Sequence, residues 1–93
     1  MQVDCANGVG AGKFRLLLKH LPASSRSFLT VVNDGSAGKL NHECGADHVK
    51  VNQRLPAGIA DHPNIRAASV DGDADRLVYF YTDAGSCPPY LLF

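Results

Sequence analysis

The sequence predicts a small α/β domain: a layered fold with a mixed sheet, parallel strands first and a C-terminal hairpin last, flanked by helices. Three observations predict it. Strand-like and helical runs alternate in the order strand, helix, strand, short helix, strand, strand, which is the order of a layered α/β sheet. The strand-like runs Ile65–Val70 and Leu77–Thr82 follow one another with no helix between them and are predicted to pair as a hairpin. Finally, 45% apolar residues in 93 support one folded core and one domain, residues 1–93.

The first strand is predicted near Gln2-Val3-Asp4-Cys5-Ala6, and the turn Asn7-Gly8-Val9-Gly10-Ala11-Gly12 follows it. A helix is predicted from about Ala11 to Leu21, because Phe14, Leu17, Leu18 and Leu21 fall at i, i+3, i+4 and i+7 and form an apolar stripe facing a core. Pro22 stops it. Phe28 to Val32 is rich in strand formers and ends at the turn Asn33-Asp34-Gly35. A shorter helix is predicted over Ala46 to Asn52, then an irregular connection marked by Pro56, Gly58 and Pro63. Ile65 to Val70 reads as a buried strand. Leu77-Val78-Tyr79-Phe80-Tyr81-Thr82 is the clearest strand, Asp83-Ala84-Gly85-Ser86 a turn, and Tyr90 to Phe93 the start of a returning strand.

Nine basic and nine acidic residues cancel, so no basic surface points to nucleic acid. No apolar run has the length of a membrane span. Cys5, Cys44 and Cys87 are an odd, sparse set, which predicts reduced thiols in a cytoplasmic protein rather than a disulfide framework. His42, Glu43, Cys44 and His48 are zinc-ligating types, but they lack a second paired cluster at a standard spacing.

The chemistry concentrates in Asp71-Gly72-Asp73-Ala74-Asp75-Arg76. Three carboxylates alternate with two of the smallest residues, and a fixed cation follows. In a flat strand the outer carboxylates would lie about 13 Å apart. One hard cation holds its oxygens at about 2.0–2.6 Å, so a metal site requires the segment to curl. Gly72 and Ala74 resist that little, and Gly72 can take positive φ without a Cβ penalty. Mg²⁺ would balance the three charges and keep coordination positions open, while Arg76 offers a planar fork for phosphate. A solvated acidic turn is the plain alternative. An EF-hand is excluded, because counting from Asp71 puts Arg76 at its glycine position and Thr82 at its bidentate acid.

Two nucleotide motifs fail at the glycine-rich turn. For a P-loop, Asn7 stands where the first glycine belongs and Phe14 where the hydroxyl belongs. For a dinucleotide fingerprint, Lys13 stands at the third glycine. The glycines then serve a tight strand-to-helix turn, or a helix start that faces a phosphate. A phosphatase using a first-strand Asp-x-Asp pair fails as well, since Ala6 follows Asp4 at the second acid.

Three ordered segments carry a family resemblance. Asp71 to Arg76 resembles the metal-binding loop of the α-D-phosphohexomutases. Val3-Asp4-Cys5-Ala6-Asn7-Gly8-Val9-Gly10-Ala11 resembles the opening of that family's second domain. Leu40-Asn41-His42-Glu43-Cys44-Gly45-Ala46-Asp47 with Val49-Lys50-Val51 is similar to the eukaryotic phosphoacetylglucosamine mutase branch. The resemblance implies the fold of phosphohexomutase domain 2. It also implies, for a complete enzyme, interconversion of N-acetylglucosamine 6-phosphate and 1-phosphate through a phosphoserine and a bisphosphorylated sugar, on the route to UDP-N-acetylglucosamine. It implies Asp71, Asp73 and Asp75 as Mg²⁺ ligands, with Arg76, and Asp75 beside it, facing the transferring phosphate. The Ser-His-Asn-Pro-like nucleophile segment of that family does not occur here. The expectation is therefore a domain fragment, a truncated gene product or an excised piece that is inactive alone and works with the missing mutase domains and their phosphosugar substrate. The alternative is a non-catalytic metal- or phosphate-binding module, or a partner of the full-length mutase.

Overall fold

A computed structural model of the chain describes residues 1–24, 29–59, 64–83 and, as backbone, 90–92. Its elements are β1 (Gln2–Asp4), α1 (Gly10–Lys19), β2 (Thr30–Val32), α2 (Ala46–Asn52), β3 (Arg66–Val70), β4 (Leu77–Tyr81) and β5 (Tyr90–Leu92). Five strands form one sheet in the order β2-β1-β3-β4-β5. Strand β1 runs parallel to both β2 and β3, whereas β3, β4 and β5 are successively antiparallel. The predicted mixed sheet, parallel strands followed by a hairpin, is the observed one. Phe28, Pro63, Cys87 and the turn residues after Asp83 lie outside the described residues.

Register fixes which side chains share a face, because successive residues of a strand point to opposite sides. Val3 pairs with Val31 and Ala68, so these share one face with Val70. That face packs with Cys5, Ala11 and Phe14, so α1 covers it. Ala67 pairs with Phe80 and Ser69 with Val78, so the opposite face carries Ala67, Val78 and Phe80. Ala46 and Val49 of α2 close over them with Ile65. The two helices therefore sandwich the sheet. Asp4, between Val3 and Cys5 in the sequence, points to the α2 face and is fully buried there.

Helix α2 has the predicted bounds. Its N-cap Gly45 sits at φ 93, and its C-cap Gln53, at φ 56, closes the other end in the left-handed conformation. The long helix departs from prediction. It spans Gly10–Lys19, with tighter bonds from the amides of His20 and Leu21 back to Leu17 and Leu18. Its stripe is only partly used: Phe14 packs on the core, but Leu17 is 53% exposed. The first turn is the part pressed to the sheet. Gly10 and Ala11 are buried, and a Cβ on Gly10 would meet Val70 Cγ2 at 3.1 Å. Small residues bring that turn close, while Leu17 is left on the wall of a groove it shares with Val70 and Leu77.

Cys5 and Cys44 are free and buried. Burial, and then the charge of Asp4, pushes both thiols from 9.0 up to about 11. Between these values the folded chain keeps protons that the unfolded chain loses. The thiols' contribution is therefore intact below pH 9 and is lost as pH rises toward 11, at about 1.4 kcal/mol per pH unit for each. Urea midpoints at pH 8 and pH 10 are expected to fall less for a Cys5→Ala/Cys44→Ala variant than for the parent chain. Equal falls would contradict the assignment.

Candidate metal centre

The acidic segment is the β3–β4 connection, and Val70 and Leu77 pair on either side of it. Asp71 builds the loop. Its carbonyl accepts the Ala74 amide at 2.9 Å, and its Oδ1 accepts the amides of Asp75 and Arg76 at 3.1 and 3.2 Å. Its Oδ2 accepts Arg76 Nε at 2.8 Å. This curl replaces the extended spacing. Ligand oxygens of Asp71, Asp73 and Asp75 come within 4.8 Å of one another, with Asp71 buried and the other two exposed. Among the described residues this is the grouping of three metal-ligating types; His42, Glu43, Cys44 and His48 do not form one.

The two small residues exchange the roles expected of them. The left-handed residue is Ala74, at φ 59, and Gly72 is not among the glycines of positive φ. Gly72 is small for another reason: a Cβ there would meet Leu40 Cδ1 at 2.8 Å and Asn41 Nδ2 at 3.0 Å. Gly8, from the glycine-rich turn, lies against the Gly72 backbone, so that a Cβ on Gly8 would overlap the Gly72 carbonyl. The Val9 amide donates to that carbonyl at 3.1 Å. The glycine-rich turn is thus the seat of the acidic loop, as well as the entry to α1. A groove of ≈ 460 Å³ runs between them, with Lys13, Phe14 and Leu17 on one side and Asp73, Asp75 and Arg76 on the other.

Crowding sets the electrostatics. Burial alone would raise the Asp71 carboxyl, but hydrogen bonds from the Arg76 side chain and backbone, and then from Asp75, hold it down at about 2. Asp75 shifts the other way. Its protonated form can donate to Asp71 and to Asp73, and their charges oppose its ionisation. The three carboxylates thus oppose one another's charge, and a divalent cation would offset that repulsion. Carboxylate oxygens on a short loop, with room for water or phosphate oxygen, are the donor set of Mg²⁺. The residues present fit that ion.

Arg76 is not free at this stage. Its Nη1 and Nη2 donate to Asp47 Oδ1 and Oδ2 at 2.7 and 3.0 Å, and its Nε lies 3.8 Å from Asp75 Oδ1. Asp47 belongs to the first turn of α2. It is a site residue that local spacing does not reveal, being 29 positions from Arg76. Asp4 is another. Its Oδ1 accepts Ala6 N–H and Asn33 Nδ2 at 3.0 and 2.9 Å, and its Oδ2 accepts Gly45 N–H and Ser69 Oγ, both at 2.6 Å. It ties β1 to the start of α2 and to the strand that delivers Asp71. One signal for it was present: an acid inside a strand of buried apolar neighbours needs several partners.

Known proteins share this sequence and fold. A family model described as phosphoacetylglucosamine mutase AMG1, domain II, matches residues 1–78. The human phosphoacetylglucosamine mutase is 52% identical over 84 residues, which is 90% of this chain and 15% of the human protein. The crystal structure of Aspergillus fumigatus N-acetylphosphoglucosamine mutase in complex with GlcNAc-6P and magnesium superposes with a TM-score of 0.84 at 46% identity, covering 98% of this chain and 18% of that one. A substrate complex of N-acetylglucosamine-phosphate mutase, of the α-D-phosphohexomutase superfamily, gives 0.76 at 44% identity, covering 88% of this chain and 16% of that one. The chain spans about 15% of the length of the curated relatives it matches. With its mixed sheet, its acidic hairpin loop and these likenesses, the chain belongs to the phosphoacetylglucosamine mutase family, where it corresponds to domain II.

Proposed function

We propose that this domain supplies the metal loop of a cytoplasmic phosphosugar mutase that interconverts N-acetylglucosamine 6-phosphate and N-acetylglucosamine 1-phosphate. One observation carries the reading: three carboxylates converge within 4.8 Å on a loop that also bears a guanidinium. Asp71, Asp73 and Asp75 would hold Mg²⁺. When bound, the ion supplies charge neutralisation to a phosphoryl group in transfer. Arg76 adds fixed positive charge beside it. Asp71 orders the loop by accepting the backbone amides of Ala74, Asp75 and Arg76, and Gly8 and Val9 seat it against α1. The nucleophile is a serine-borne phosphate outside these 93 residues, which contain no Ser-His-Asn-Pro-like segment. The chain alone is then inactive and works with the domains that carry the serine and read the sugar.

With that phosphate oxygen lacking, Mg²⁺ binding by the chain alone is expected to be weaker than micromolar. Asp73→Ala is expected to abolish it while leaving the fold intact, because Asp73 is exposed. Calorimetric or NMR titration checks both. Unchanged binding in the variant would remove the ligand assignment. Robust turnover of N-acetylglucosamine 6-phosphate by the chain alone, with Mg²⁺ and a bisphosphorylated sugar primer, would sink the claim of inactivity.

A further inference from the structure

The Arg76 guanidinium has carboxylate partners at Nε and at both Nη atoms in this structure. Asp71 takes Nε, and Asp47 takes the outer edge with both carboxylate oxygens, at 2.7 and 3.0 Å. That outer edge is the planar fork that a phosphate would use bidentately. A carboxylate and a phosphoryl group cannot occupy it together. The Asp47 pair is also the easier of the two to give up: the Arg76 and Asp47 side chains are 56% and 63% exposed, whereas Asp71 is only 9% exposed. Exposed ion pairs are weakly held, while one buried against its partner is not readily broken. Asp47, Asp71, Asp73 and Arg76 line one cleft of ≈ 410 Å³, so an arriving anion reaches the same space.

We infer that Asp47 is the resident counter-ion of Arg76, a positioning residue that fills the fork until a phosphoryl group displaces it. This rests on the reading of Arg76 as a phosphate-facing group. Exchange keeps the fork aligned through the Asp71–Nε bond, because only the outer edge changes partner. It also keeps the Nη groups from collapsing onto Asp73 and Asp75 before the phosphate arrives. The tie between Asp4 and Gly45 holds the start of α2, and with it Asp47, at the distance that permits this.

Inorganic phosphate is the probe, titrated into the chain at saturating Mg²⁺ and followed by the backbone amide signals of Asp47 and Arg76. Asp47→Asn is expected to tighten phosphate binding about three- to tenfold. Removing any negative charge favours an anion, so the same substitution is made in an Arg76→Gln background. There the gain is expected to vanish, since the fork it would release is gone. Weaker or unchanged binding in Asp47→Asn overturns the inference. A gain that persists without Arg76 overturns it too, because Asp47 would then act by general repulsion. Phosphate binding undetected in every variant is a third overturning result. Mg²⁺ titration of the parent chain separates the two readings: absent metal binding defeats the proposed function, whereas normal metal binding with no phosphate gain defeats only the role of Asp47.

Discussion

Gly8→Ala is expected to destabilise the domain by about 1–3 kcal/mol and to weaken Mg²⁺ binding at least tenfold. The cause is steric. Gly8 is not among the glycines of positive φ, so its backbone would accept alanine in isolation. A Cβ there would overlap the Gly72 carbonyl and lie 2.7 Å from Gly72 Cα. These are backbone atoms that cannot swing aside. Either β1's turn or the acidic loop must move, and the loop has less holding it. Its displacement would break the Val9–Gly72 bond and spread the carboxylates. Gly12→Ala is the control. Nothing lies within 4 Å of a Cβ at Gly12, which is inside α1. That substitution is expected to stabilise by about 0.5–1 kcal/mol and leave Mg²⁺ binding unchanged. Urea denaturation with parallel Mg²⁺ titrations reads both. Equal behaviour of the two variants would show that Gly8 is only a flexible turn residue.

That pair of glycines marks the boundary of what local sequence discloses. The acidic triad was legible because its members are two residues apart and its curl follows from the reach of one cation. The sheet was legible because strand-like and helical runs alternate until Ile65–Val70 and Leu77–Thr82, which follow one another with no helix between them. α2 is predicted at Ala46–Asn52, and its buried positions, Ala46 and Val49, are three apart, on one face of a helix. The failures involve distance along the chain. An apolar stripe on α1 shows what could be buried, but Leu17 lines an open groove and stays exposed. The glycine-rich turn suggested conformational freedom; its use is a backbone contact with a residue sixty-odd positions on, which no local pattern encodes. Arg76 looked free for phosphate because its partner, Asp47, sits 29 residues away. Pairings of this kind depend on tertiary placement.

The acid at the centre of that placement is expected to be the most sensitive residue in the domain. Asp4→Ala would leave the amides of Ala6 and Gly45, the Ser69 hydroxyl and the Asn33 side chain without their acceptor. Each buried, unsatisfied donor costs about 1–3 kcal/mol. A loss of about 3–5 kcal/mol overall compares with about 5–15 kcal/mol for a whole domain, at the lower end for one so small. Asp4→Asn is the discriminating variant. Its oxygen can keep Ala6 and Asn33, and the Ser69 hydroxyl can reverse to accept from the new amide. The Gly45 N–H cannot reverse, and it would face another donor. The Gly45 amide is therefore expected to lose its protection from hydrogen exchange first, loosening the start of α2. Removing a buried charge also relieves a desolvation cost, which opposes the destabilisation. The cysteines separate the two effects, because Asp4's charge is the second cause, after burial, of their raised pKa. In Asp4→Asn both thiols are expected to titrate below their parent value, even if the net stability barely moves. Unshifted thiols with an intact Gly45 amide would mean that the carboxylate neither organises the α2 start nor sets the local potential.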